Sequence, residues 1–76
     1  MSQERYKAKI LPIRQKLFHI AQNILHEDAA AEDAVQEVLL KLWHIRDSLG
    51  SYDNVAAFAT TVTKNHCLDK LKLKNK

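Results

Sequence analysis

The chain has one glycine, one proline and one cysteine among its 76 residues, and each scarcity removes a class of protein. A lone thiol, Cys67, excludes a disulfide framework and suits a reducing compartment. A lone glycine, Gly50, leaves no glycine-rich loop to cradle a phosphate. β-Branched residues are sparse and no stretch alternates with period two, so there is little to build a sheet from. No apolar run is long enough to span a bilayer. The start, Met1 to Lys9, is polar and basic, and no signal-peptide core follows it. These absences predict one small, soluble, cytoplasmic, all-α domain with no membrane insertion and a modest core.

What charge there is falls unevenly. The formal net charge is +3. Residues 1–25 carry five cations against Glu4, a net of +4, and residues 54–76 carry five lysines against Asp69, again +4. Between them, residues 26–53 carry seven acids against Lys41 and Arg46, a net of −5. An acidic middle between basic ends fits either two partners of opposite character or ordinary solvated helix faces.

Three helices are predicted, packed as a small bundle. The first covers Ser2 to Leu25 on a stripe of Tyr6, Ile10, Ile13, Leu17, Ala21 and Ile24, widened by Leu11, Phe18 and Leu25. Pro12 interrupts it, which predicts a kink or a helix proper beginning near Leu11; the unbroken phase of the stripe favours the kink. After the His26–Asp28 link, Asp28 is the expected N-cap of a second helix running to about Arg46 and closed by Gly50. Ser51, Tyr52 and Asp53 form a loop, and Asp53 or Asn54 caps a third helix over Asn54 to Lys72. Its best-aligned stripe is Phe58, Val62, Asn65, Asp69 and Lys72. A polar group facing a core needs a partner, so Asn65 and Asp69 either meet Arg14 or Lys16 of the first helix or edge a binding surface.

Neither catalytic nor cofactor chemistry is expected. His26 and Glu27 lack the second histidine of a helical zinc pair. Adjacent His66 and Cys67 point about 100° apart on a helix and cannot chelate together. His19 and His44 have no clustered partners, so no metal site is expected. Cys67 reads as a structural thiol, and the acid pairs near helix starts read as cap and dipole residues.

The run from Ala31 to Trp43 (AEDAVQEVLLKLW) carries the most information. Ala31, Ala34, Val35, Val38, Leu42 and Ile45 form a core stripe. On the other side stand Asp33, Gln36, Glu37, Leu40 and His44, with Trp43 at the edge. A leucine rimmed by acids on an outward face suggests a docking surface for a basic or amphipathic helix. This run resembles the AEDxVQExFxxxW signature of region two in sigma factors of the sigma-70 family, in particular the small extracytoplasmic-function type. The later run Phe58 to Lys72 (FATTVTKNHCLDKLK) resembles that family's W-L-x-x-I-A-x-N-x-x-x-D-x-x-R pattern. Together the motifs cover the chain from about Ile10 onward, in the family's order.

The resemblance implies a subunit that initiates transcription as part of RNA polymerase, without enzymatic activity of its own. It assigns Asp33, Gln36, Glu37, Leu40 and Trp43 to a coiled coil of the β′ subunit of the polymerase core. It assigns Asn54, Phe58, Thr61, Lys64, Asn65 and Lys72 to the non-template strand of the minus-ten promoter element, held as it melts with a base flipped out. Those residue types suit that role, since lysines screen phosphates, an amide reads a base edge, and an aromatic ring supports an unstacked base. Trp43 and Phe58 equally suit core packing, and Asp69 is expected to anchor a buried pair. Two positions depart from the family pattern: Phe58 stands for its tryptophan, and Lys72 for its arginine, which loses the bidentate fork. The resemblance also implies a region-four helix-turn-helix domain for the minus-thirty-five element. No residues for it follow Lys76, so residues 1–76 are expected to act as a truncated N-terminal domain that binds weakly alone. An anti-sigma protein is a further partner that the same faces admit. Two other readings stay open: a helical adaptor without DNA binding, and a helix-turn-helix reader of duplex DNA. The longer, acidic Asp47–Asp53 connection counts against the second.

Overall fold

A computed structural model describes residues 3–49 and 54–74. It contains helices α1 (Gln3–Leu25), α2 (Asp28–His44), α3 (Arg46–Leu49) and α4 (Val55–Lys74), and no strand among the described residues. The fold class is all-α, as expected, with four helices where three were predicted. The long helices α1, α2 and α4 pack pairwise around one core. Tyr6, Ile10, Leu17 and Ala21 come from α1, Ala31, Ala34, Val35, Val38 and Leu42 from α2, Leu49 from α3, and Val55, Ala59 and Cys67 from α4. Burying one large aliphatic side chain stabilises by about 1.5–3 kcal/mol, so a handful of such groups makes up most of the favourable free energy.

Helix α1 runs unbroken through Pro12, and no helix begins near Leu11. Pro12 is exposed, so water can reach the carbonyl that its ring leaves unbonded. Residues on both sides of it, Tyr6 and Ile10 before and Leu17 and Ala21 after, are anchored in the same core, which holds the backbone in helical geometry. The Tyr6 hydroxyl also donates to the Leu39 carbonyl on α2. The α1–α2 link departs from expectation as well. His26 takes a left-handed conformation, φ 58°, and its N–H reaches the Gln22 carbonyl to close α1. That leaves only Glu27, extended at φ −150° and ψ 127°, as the N-cap, with no side-chain capping bond. Asp28 is therefore the first residue of α2 rather than its cap, and it accepts from the Gln22 side-chain amide.

Helix α2 ends at His44, earlier than predicted. Ile45 forms a turn, and α3 follows as a single additional turn of helix. Two contacts account for it: Leu49 is fully buried, and Arg46 donates to the Trp43 carbonyl at 3.0 Å. The expected closure at Gly50, the loop at Ser51 to Asp53 and the alternative cap at Asp53 lie outside the described residues. Asn54 does cap α4, its side-chain oxygen accepting from Ala57 N–H at 3.0 Å.

Of the best-aligned stripe of α4, only Phe58 and Val62 pack against the core, half-buried; Asn65, Asp69 and Lys72 are exposed, and the buried positions are Val55, Ala59, Thr63 and Cys67. Thr63 tolerates full burial because its hydroxyl donates to the Ala59 carbonyl at 2.8 Å. Arg14 meets neither Asn65 nor Asp69; it pairs with Glu32 at 2.9 Å. Asp69 anchors no buried pair, since it is exposed. Its neighbour Lys70 is the residue that reaches across to α2.

Candidate functional site

Helix α2 presents the expected two faces. Ala31, Ala34, Val35, Val38 and Leu42 are buried, whereas Ile45, predicted to join them, is 39% exposed in the turn. Asp33, Gln36, Leu40 and His44 are not buried, and Leu40 stands at 58% in the middle of that outward strip. On one flank of the strip is α1, reached by the Arg14–Glu32 pair, and Glu32 also accepts from Gln36 at 3.5 Å. On the other flank is α4. The half-buried Trp43 closes one end: its ring meets Tyr6 edge-on at 5.1 Å, and the Arg46 guanidinium lies 4.0 Å over it. Trp43 is thus first a packing residue, with Arg46 stacked on its ring.

Glu37 is more committed than its position on the wheel suggested. It pairs with Lys70 of α4 at 2.6 Å and with His66 at 3.2 Å, and Asp33 stands 3.7 Å from the same Lys70 ammonium. Lys41 reaches His66 Nδ1 at 3.2 Å. An ammonium can only donate, so Nδ1 accepts and the proton on Nε2 points to Glu37. The hydrogen bond from Lys70 holds the Glu37 carboxyl below its ordinary value, and the same contact raises the Lys70 ammonium above its own. These side chains therefore stitch α2 to α4 along one edge of the strip. No single-helix pattern signals this network, because its members meet only across two helices.

The α4 candidates come together. Asn54, Phe58, Thr61, Asn65 and Lys72 recur at helical steps on one side of the helix, with Lys64 at its margin. Asn54, Thr61, Lys64, Asn65 and Lys72 are exposed, and Phe58 is half-buried against the core beside Val62. Two of these groups already have local partners: Asn54 caps the helix, and the Thr61 hydroxyl donates to the Ala57 carbonyl at 3.2 Å. The amide of Asn65 and the ammonium groups of Lys64 and Lys72 make no hydrogen bond or ion pair among the described residues. Leu68, 47% exposed, shares this face and was not foreseen; its outward position becomes evident only once the buried stripe is known. Cys67 is fully buried, and burial raises its thiol above the ordinary value, which suits packing rather than nucleophilic chemistry.

The Sigma-70 region 2 family matches residues 11–76, nearly the whole chain. The chain belongs to that family. Region two is the part of a sigma factor involved in binding core RNA polymerase and recognising the minus-ten promoter element, and the family is one of transcription-factor domains, not of enzymes. No curated protein and no solved structure matches the chain. Among the described residues, no helix is long and apolar enough to cross a membrane, and no three metal-ligating side chains cluster.

Proposed function

We propose that this chain is region two of an extracytoplasmic-function sigma factor, working in the cytoplasm within the polymerase holoenzyme. In this reading Asp33, Gln36, Glu37, Leu40 and Trp43 form the surface that docks on the β′ coiled coil. The observation that carries it is Leu40: a large apolar side chain, 58% exposed, centred on an outward strip that holds Asp33 and Gln36. Leu40 supplies the desolvated anchor, and the acids steer and orient a basic helix. Glu37 contributes less than Asp33 and Gln36, because its carboxylate is already engaged by Lys70 and His66.

The outer face of α4 is the DNA surface of this reading. Lys64 and Lys72 neutralise phosphates of the non-template minus-ten strand. Asn65 reads a base edge through its paired donor and acceptor, and Phe58 supports an unstacked base with whatever part of its ring the core leaves open. Asn54 and Thr61 border the same strip. An anti-sigma protein that covered Leu40 or this face would silence the factor. The test is a titration of the domain with a purified β′ coiled-coil fragment and, separately, with single-stranded promoter DNA. Leu40→Ala is expected to weaken the first by about 2 kcal/mol, a hot-spot loss, and leave the second unchanged. Asn65→Ala is expected to do the reverse. Identical curves for wild type and both variants would reject the assignment.

A further inference from the structure

We propose that α1 also binds nucleic acid: Lys9 and Lys16 of α1, together with Lys64 of α4, form a basic seam that holds phosphates of the strand lying over α4. The inference rests on the DNA reading above and adds a second helix to it.

The two helices show which flank each turns to the other. On α1, Arg14 marks the flank facing α2, since it pairs with Glu32. Lys16 stands two residues from Arg14, about 160° around the helix, and Lys9 about 140° around; both lie on the flank away from α2. On α4, His66 marks the flank facing α2, since it meets Glu37 and Lys41. Lys64 stands two residues from His66, again about 160° around. With α1, α2 and α4 packed pairwise, the flanks of α1 and α4 that turn from α2 meet in one outer seam. Both helices run antiparallel to α2: Tyr6 reaches Leu39 while Arg14 reaches Glu32, and Lys41 reaches His66 while Glu37 reaches Lys70.

The charges of this seam are uncompensated. All three lysines are exposed, and none makes an ion pair among the described residues. Arg14 and Lys70, by contrast, each hold an intramolecular partner on α2 that stitches the bundle together, and Arg46 stacks on Trp43. The acids of α1 and α4 keep away: Glu4 and Asp69, the only ones on these helices, are each five residues from the nearest seam lysine and so about 140° around. Aligned like charges repel unless an anion lies between them. Lys9 and Lys16 are about 10 Å apart along the axis, a spacing that suits an extended polyanion rather than a point charge. The adjoining face of α4 carries Asn65 and Lys72, so a strand tracked by the seam continues onto the proposed reading surface.

The experiment compares the salt dependence of binding to random-sequence single-stranded DNA for the full chain, the Lys9→Ala/Lys16→Ala variant and Lys7→Ala. Lys7 is exposed on the same helix but about 160° from Lys9, so it is a control for the loss of one lysine charge off the seam, and circular dichroism confirms that each variant stays helical. Each phosphate left without its lysine lowers the slope of log affinity against log salt by about 0.7. The double variant is expected to lose about 1.4 from the slope, and Lys7→Ala to keep the wild-type value. A double variant with the wild-type slope overturns the inference while leaving the α4 reading intact. So does an equal per-lysine loss in Lys7→Ala, which would mean a general field rather than a site. A folded wild-type chain that does not bind the DNA at all overturns the α4 reading and this inference with it.

Discussion

On α2 the buried side chains are all apolar and recur mostly at steps of three and four, while on α4 they are Val55, Ala59, Thr63 and Cys67, small, mixed in polarity and four residues apart throughout. The second arrangement drifts about 40° per step, so its stripe winds about 120° around the helix between Val55 and Cys67. A fixed helical wheel therefore blurs it, and the exposed Leu68 and Leu73 blur it further. The difference has a physical origin. Helix α2 buries Val35, Val38 and Leu42 beside two alanines, all apolar, and this stripe is strong enough to orient it alone. Helix α4 lies against α1 and α2 through small groups that permit close approach, and its orientation depends in part on polar links at its rim, above all Lys70 to Glu37 and His66 to Glu37.

The sharpest test of that contrast is a pair of core substitutions. Leu42→Ala on α2 empties a fully buried site and should cost about 2–5 kcal/mol in urea unfolding. Thr63→Val on α4 is nearly isosteric, and its hydroxyl bonds only to its own helix, so the change should stay within about 1 kcal/mol. A Thr63→Val loss as large as that of Leu42→Ala would show that the hydroxyl is needed for more than its own satisfaction.

The helix starts sharpen the comparison next. Asn54 caps α4, so Asn54→Ala should cost about 1 kcal/mol, seen as a lower melting temperature. Glu27 gives α2 no side-chain cap, so Glu27→Ser should raise stability, by up to about 1 kcal/mol. If both changes are neutral, capping does not limit either helix. At the link between α1 and α2, His26 holds a left-handed conformation that favours glycine. His26→Gly should therefore stabilise by about 0.5–1 kcal/mol, and a destabilised variant would mean that the imidazole makes a contact worth more than the backbone relief.

The smallest effect concerns the rim of α4. The folded-state value of Glu37 is depressed, so its contribution is present above the ordinary carboxylate range, and is lost as pH falls through the lowered value. The network is largely open to solvent, which limits it to about 1 kcal/mol at most, weakening with salt. Glu37→Gln should remove that part of the acid sensitivity and little else. A Glu37→Gln variant with the wild-type pH–stability curve would show that the pair is present without stabilising.

Much was determined by local chemistry that the amino-acid sequence carries without help. The helical class, the two faces of α2, the stripe of α1 and a cap at Asp53 or Asn54 follow from periodicity and side-chain type, and both family motifs are contiguous runs within single helices. The exposed Leu40 was legible for the same reason, since the apolar positions behind it fix which way it points. What the tertiary structure decided depends on atoms brought together from distant parts of the chain. Pro12 stays inside a helix because Tyr6, Ile10 and Leu17 share one core. The short helix α3 is held by Leu49 and Arg46 packing on their neighbours. Lys70 rather than Asp69 makes the link to α2, because one residue's turn on α4 is about 100° and only the packed position of α4 shows which side chain meets Glu37. A local pattern can orient a helix with a strong apolar stripe; a helix with a weak one is oriented by its neighbours.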